Sequence, residues 1–266
     1  MGKLFYFALL ASIFISCKKE NPTTEFEKTI TKNDSVKSDS DTLAFEIKKF
    51  EKYSIHKSDT TKIKIEVPFF KLKSVVTDSI DKLLLKRINS IFTNDSLHEP
   101  RNFDEICNNF ITDYNKFLKE DVDYFTAWEG IANATINYQS SKLLNLTVDF
   151  YAFTGGAHGN GASFSFFIDT KTGKQIKKEN LFSNLKGFTK LAEEKFRKQQ
   201  DIPKNANINE TGYWFTNEVF HLPKNIFLTK EGVKLVYNQY EVASYAEGPI
   251  ELLISYNEAD KYLKIK

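Results

Sequence analysis

Cysteine is nearly absent from this chain. Only Cys17 and Cys107 occur in 266 residues, so a disulfide scaffold is excluded. Histidine is equally sparse. His56, His98, His158 and His221 are scattered, and no pair has the spacing of metal ligands on one helix face. Charge of one sign is lacking too. Thirty-seven basic residues stand against 35 acidic ones, interspersed throughout, and a nucleic-acid footprint needs a basic face. Eleven glycines and six prolines do not make a fibrous or low-complexity chain. No apolar run reaches the roughly 20 residues that a membrane-spanning helix needs.

What is present is apolar bulk. The chain is 41% hydrophobic and 14% aromatic, with 24 Phe and 12 Tyr. That is ample for a packed core and far from a disordered composition.

The beginning of the chain has its own character. Met1-Gly-Lys3 is a short positive start, and Leu4–Ser16 is apolar except for Ser12 and Ser16. That is the length of a signal-peptide core. It stops at Cys17, followed at once by Lys18-Lys19-Glu20. A small residue before a cysteine resembles a bacterial lipobox, although Phe14 stands where leucine is usual. We therefore expect residues 1–17 to be a lipoprotein signal peptide ending at a lipidated Cys17, with two-chain anchoring to the membrane. Residues 18–43, rich in Lys, Thr, Ser, Asp and Asn, read as a flexible tether.

From residue 44 the pattern is that of folded α+β structure. Ile63, Ile65 and Val67 alternate with charged residues, as a strand does, and Pro68 ends that ladder or marks an edge. Helices are expected from Thr77, with Asp78 and Asp81 in the first turn, and after Pro100, with Asn102 and Glu105 at its start. The second carries an apolar stripe from Phe103 to Leu118 that includes Cys107, read as a buried inert thiol. Beyond Trp128 come alternating strands at 132–138, 143–153 and 162–169, each half buried. A glycine-bulge hairpin at Asp169–Gly173 follows, then a helix over 184–200 and an irregular stretch over 201–225. Two strands near 226–238 and 250–255 follow, then a short helix capped by Asn257. Helices and strands segregate, so the fold class is α+β: an antiparallel meander with helices on one side. We divide it into modules at 44–125 and 126–266.

The stretch that organises the second module is Tyr151-Ala-Phe-Thr-Gly-Gly-Ala-His-Gly-Asn-Gly161, with four of the eleven glycines in seven positions. Glycine accepts positive φ and lets backbone approach closely. His158 sits in the middle. It has three readings: a group that fixes the loop by bonding its backbone, a partner contact, or a general base. Tyr240 and Tyr245 lie in a second loop, closed by Gly248-Pro249.

These residues carry a likeness. The run from Tyr151 to Gly159, then Phe166-x-Ile-Asp169-x-x-Thr-Gly-Lys174, Leu181-Phe182, Leu235-Val-Tyr237, Tyr240, Tyr245-Ala-x-Gly248-Pro249 and Tyr256, resembles a bacterial domain family without assigned function. That family also forms the extracellular part of RsiV-type anti-sigma factors, which sense lysozyme. Region 45–125 resembles, by pattern and order, the companion module found in RsiV-type proteins and some peptidoglycan deacetylases.

The resemblance implies an exported, membrane-tethered α+β protein. It implies a non-catalytic binding module for a protein or glycan partner, with a lysozyme-like muramidase or peptidoglycan as the candidates. Thr154, Gly155, Gly156, His158, Tyr240 and Tyr245 are the expected partner contacts. The expected location is the bacterial cell envelope, through a lipid anchor in the outer membrane. Neither a cofactor nor a metal is implied, and no nucleic acid. The chain departs from anti-sigma members in having only sixteen residues before Cys17, and from the deacetylases in having no further catalytic domain. The alternative is a cell-wall hydrolase or deacetylase, or an accessory to one, that uses His158.

Overall fold

A computed structural model of the chain describes residues 43–93, 99–120 and 126–265. The expected signal peptide, Cys17 and nearly all of the expected tether lie outside these residues, as does His98.

The described residues open with a hairpin. Strand β1 (Glu46–His56) pairs antiparallel with β2 (Asp59–Phe69), register Glu46↔Phe69 to His56↔Asp59. The tight turn is made possible by Lys57 at φ 55°. Ile63, Ile65 and Val67 point inward, as their alternation requires. Pro68 does not end the ladder; it sits within β2, opposite Ile47 on the edge strand.

Helix α1 (Val75–Phe92) begins earlier than the expected Thr77. Ser74 is its N-cap, taking the Thr77 N–H while Thr77 Oγ1 takes the Ser74 N–H at 2.8 Å. Thr77 is therefore the third helical residue of a capping box rather than the start, and of the two aspartates only Asp78 lies in the first turn. Helix α2 (Phe103–Glu120) starts as expected, with the Glu105 N–H donating to Asn102 Oδ1 at 2.9 Å. Its stripe buries Ile106, Cys107, Phe110 and Tyr114.

Strands β3 (Glu129–Gln139), β4 (Leu143–Phe153), β5 (Asn160–Asp169) and β6 (Gln175–Ile176) complete a six-stranded sheet in the order of the sequence. Every pairing is antiparallel except β2 with β3, which run parallel from Lys62↔Glu129 to Glu66↔Asn133. The two helices fill that crossover, as parallel neighbours demand. One sheet thus contains strands from both sides of residue 125. Its helical face is a single core, with Ile63, Ile65, Ile80, Leu84, Ile88, Phe110, Leu146 and Val148 buried together.

A second layer follows. After one 3-10 turn at Lys178–Leu181, helix α3 (Leu185–Gln199) is capped by Asn184, which takes the Gly187 N–H. The expected strand at 226–238 is in fact a hairpin. Strand β7 (Asn225–Leu228) turns at Thr229–Gly232 into β8 (Gly232–Tyr237), and β9 (Ile250–Ser255) completes a three-stranded antiparallel sheet. The turn is held by Thr229 Oγ1, which accepts the Gly232 N–H at 3.1 Å. The last helix, α4 (Tyr256–Ala259), follows Ser255 rather than an Asn257 cap. The irregular stretch before β7 still buries Ile202, Ile208, Phe215 and Phe220, which join Phe188, Phe196, Leu235 and Tyr237 in a second core. The architecture is α+β with antiparallel pairing dominant, built as two modules.

The layers meet along a polar seam. Asn145 Oδ1 accepts the Leu228 N–H at 2.8 Å, and its amide donates to Ser165 Oγ at 2.9 Å. Asn225 Oδ1 accepts the Ser165 N–H, and the Ser165 hydroxyl donates to the Ile226 carbonyl. Strand β4 is accordingly buried on both faces along Leu143–Val148, not half buried as its alternation suggests. Asn145 finds a partner in the second layer, while Thr147 accepts from the Asn137 amide of β3 within its own sheet.

Candidate functional site

Two loops converge at one end of the molecule. The first joins β4 to β5 over residues 154–159, and its chain reverses through Gly155 (φ 104°) and Gly156 (φ 93°), a conformation L side chains rarely adopt. Gly159 is required for a different reason. A Cβ there would stand 2.4 Å from the Tyr151 ring, so that ring forms the floor under the loop.

The second loop follows β8. Asn238 clamps it to the sheet, taking the Ser163 N–H at 3.0 Å and donating to the Ser163 carbonyl at 2.9 Å. Tyr240 adopts φ 64°, which aims its ring outward. Residues Tyr245–Glu247 form a single 3-10 turn closed by Gly248 at φ 68°. Gln239 Nε2 donates to the Tyr245 carbonyl at 3.3 Å.

The side chains of the two loops meet. The His158 and Tyr245 rings stack with centroids 4.0 Å apart and planes 24° apart. His158 Nδ1 lies 2.9 Å from the Gly159 carbonyl, and the Tyr245 hydroxyl donates to that same oxygen at 3.3 Å. A carbonyl only accepts, so Nδ1 carries the proton and Nε2 is left facing outward. Tyr240 continues the row, 5.7 Å from Tyr245 and 57% exposed.

The structure thus brings together His158, Tyr240 and Tyr245 of the six expected contacts. Thr154, Gly155 and Gly156 make the outer bend of the same loop; a Cβ on Gly156 would meet nothing within 4 Å, so that side of the bend is open. Sequence reasoning missed Tyr151, Asn238 and Gln239. Tyr151 opens the motif, but nothing in its spacing marks it as the floor.

His158 bonds a backbone carbonyl and stacks on a phenol, and among the described residues no carboxylate pairs with it. Among the described residues no group of three or more His, Cys, Asp or Glu side chains is placed to hold a metal ion, and no helix is long and apolar enough to cross a membrane. Tyr151 has its hydroxyl pushed above the ordinary range, first by burial and then by Glu129 and Tyr245 nearby. A phenol shifted that way stays neutral and serves as a hydrogen-bonding ring. His56 and His221 lie elsewhere: His56 Nε2 is buried without a hydrogen-bond partner, and His221 Nδ1 lies 3.2 Å from the Leu222 carbonyl.

This architecture is shared with known proteins. Residues 174–257 match the family described as Protein of unknown function (DUF3298), and residues 54–161 match the one described as Deacetylase PdaC. The chain therefore carries a DUF3298 domain preceded by a PdaC-like module, and the aromatic row is built from both matched segments. Two solved structures have the same fold. A DUF3298 family protein from Pseudomonas aeruginosa aligns over 84% of this chain and 95% of its own, at 19% identity and TM-score 0.60. A DUF3298 family member from Bacteroides fragilis covers the same shares at 18% identity and TM-score 0.62. No curated protein matches the chain.

Proposed function

We propose that this chain is a non-catalytic binding module of the bacterial cell envelope, anchored through a lipidated Cys17. The end that carries His158, Tyr240 and Tyr245 grips a protein or glycan partner, with a lysozyme-like muramidase as the protein candidate. The observation that supports this reading best is the His158–Tyr245 stack. Two ring side chains are locked onto the Gly159 carbonyl, which is 86 residues from Tyr245 in sequence, with an exposed tyrosine beside them. Rigid aromatic area presented at low entropic cost is what binding surfaces use. Glycine in the neighbouring bend leaves backbone N–H and C=O groups accessible to a ligand.

The test uses the full chain, with a muramidase and solubilised peptidoglycan fragments as probes. Saturable binding of either one, weakened by His158→Ala and by Tyr245→Ala in folded protein, supports the reading. Absence of binding to both overturns it. Release of sugar or acetate from peptidoglycan, abolished by His158→Ala, replaces it with the enzyme alternative. The anchor has its own check: Cys17→Ala should leave precursor mass and abolish detergent-phase partitioning, and unchanged partitioning would remove the lipid from the proposal.

A further inference from the structure

A second site lies beside the aromatic row. A cavity of about 380 Å³ opens between α1, β5 and the turn at 238–241, at the small end of ligand pockets. One wall is Arg87. Its guanidinium carbon lies 3.5 Å from the centre of the Phe164 ring, so the fork is held flat against an aromatic face. Nε is out of contact with solvent and has no hydrogen-bond partner, and among the described residues no carboxylate pairs with the terminal nitrogens. Burial lowers the proton affinity of this guanidinium, but arginine remains charged. A half-buried, unpaired, pre-oriented cation is costly unless something anionic completes it.

The rest of the lining fits an anion of a particular kind. Lys224 adds a second positive charge at the exposed rim. Asn225 commits Oδ1 to the Ser165 N–H, which leaves its amide N–H groups as donors at the cavity wall. Gln239 commits Nε2 to the Tyr245 carbonyl, which leaves Oε1 as an acceptor. Tyr240 offers an exposed ring at the mouth. The carboxylate in the lining, Glu241, already accepts the Lys224 N–H at 2.8 Å and the Asn238 N–H at 3.1 Å. It forms no ion pair with Arg87, and Arg87 and Lys224 together leave the lining with an excess of one positive charge over this carboxylate.

We propose that this cavity binds a sugar acid. The ligand carboxylate lies in the plane of the Arg87 fork, Asn225 and Lys224 complete its shell, Gln239 Oε1 takes a hydroxyl, and the ring stacks on Tyr240. A planar fork pinned in one plane matches a planar carboxylate through two parallel hydrogen bonds. Hydroxyls fit the amides, and the C–H face of a sugar fits the tyrosine. The site shares Tyr240 and the turn residues Asn238 and Gln239 with the loops described above, but it does not depend on that surface gripping a partner.

The experiment is a calorimetric or NMR titration of the full chain with D-glucuronate, D-glucose and inorganic phosphate. Glucuronate should bind at up to millimolar concentration, glucose should not, and phosphate should bind more weakly than glucuronate. Arg87→Gln should lower glucuronate affinity about tenfold or more. Lys224→Gln, on the exposed rim where folding is safe, should lower it less. Lys171→Gln, which removes an exposed charge outside both sites, should leave it unchanged. The proposal is overturned if glucuronate does not bind, if glucose binds as well, if phosphate binds more tightly, or if binding survives both the Arg87 and Lys224 substitutions.

Discussion

The imidazole of His158 lies on the ring of Tyr245, 4.0 Å between centroids, and both side chains reach the Gly159 carbonyl. Stack and hydrogen bond are separable contributions. Tyr245→Phe removes the hydroxyl and keeps the ring; Tyr245→Ala removes both. The Phe variant should retain most affinity for the partner, and the Ala variant should lose about 2 kcal/mol or more if the ring is an anchor. Titration of both variants against the partner found for the wild type decides this, and equal losses would assign the effect to the hydroxyl alone.

Gly232 shows where the fold itself is unforgiving. A Cβ there would stand 2.2 Å from the Ile254 carbonyl oxygen, part of the strand it pairs with. Backbone cannot step aside as a side chain end can. Gly232→Ala should destabilise the protein by about 2 kcal/mol or more, and a thermal melt should show a fall of several degrees. Gly159→Ala should cost less, because the obstacle is the far end of the Tyr151 ring.

Cys107 is fully buried on α2, and desolvation pushes its thiol up to about 12, with Asp104 adding to the shift. The thiolate is the reactive species. Native protein at pH 8 should therefore resist a maleimide or disulfide reagent, and labelling should appear only as the protein unfolds. Rapid stoichiometric labelling of folded protein would contradict this burial.

Asp149 gives the pH prediction. Burial raises its proton affinity more than the Ser163 hydroxyl bond lowers it. A carboxyl raised in the folded state holds its proton more tightly there than when unfolded. Its stabilising contribution is full below the ordinary carboxylate range and is lost as pH rises through the folded value. Ionised Asp149 thus weakens the fold at neutral pH. Asp149→Asn keeps an oxygen for Ser163, so it should raise the melting temperature at pH 7, with the gain shrinking toward pH 4. A gain that grew with acidity would have the wrong sign.

How much of this was legible in the sequence depends on range. The stripe of α2, the alternation of β2 and the helix beginning at Asn184 are local, and local periodicity marks them. The capping box at Ser74 was hidden because threonine replaces the usual Glu or Gln, and the β7–β8 turn because Thr229 does its work through a hydroxyl. The seam was unreadable for a different reason. Asn145 and Ser165 look like solvent-facing residues of half-buried strands until a second sheet supplies partners 83 and 61 residues away. In the site, the glycine bend and the tyrosine loop were visible as motifs; that Tyr151 lies under Gly159 is a tertiary fact without a sequence mark. Arg87 carried no signal at all, because its lack of a partner exists only in three dimensions.

The parallel junction between β2 and β3 has a kinetic consequence. The Trp128 N–H donates to the Thr61 hydroxyl across 67 positions of chain, and no short turn can close that distance. Adjacent hairpins such as β3–β4–β5 can zip within microseconds of one another, whereas joining β2 to β3 must first meet the entropy of a long loop. The middle of the sheet is thus expected to set the folding rate, slower than its hairpins alone would suggest. Until it closes, β2 and β3 offer naked ladder edges, and the lag before that closure is the interval in which the nascent protein is open to mispairing with a neighbour.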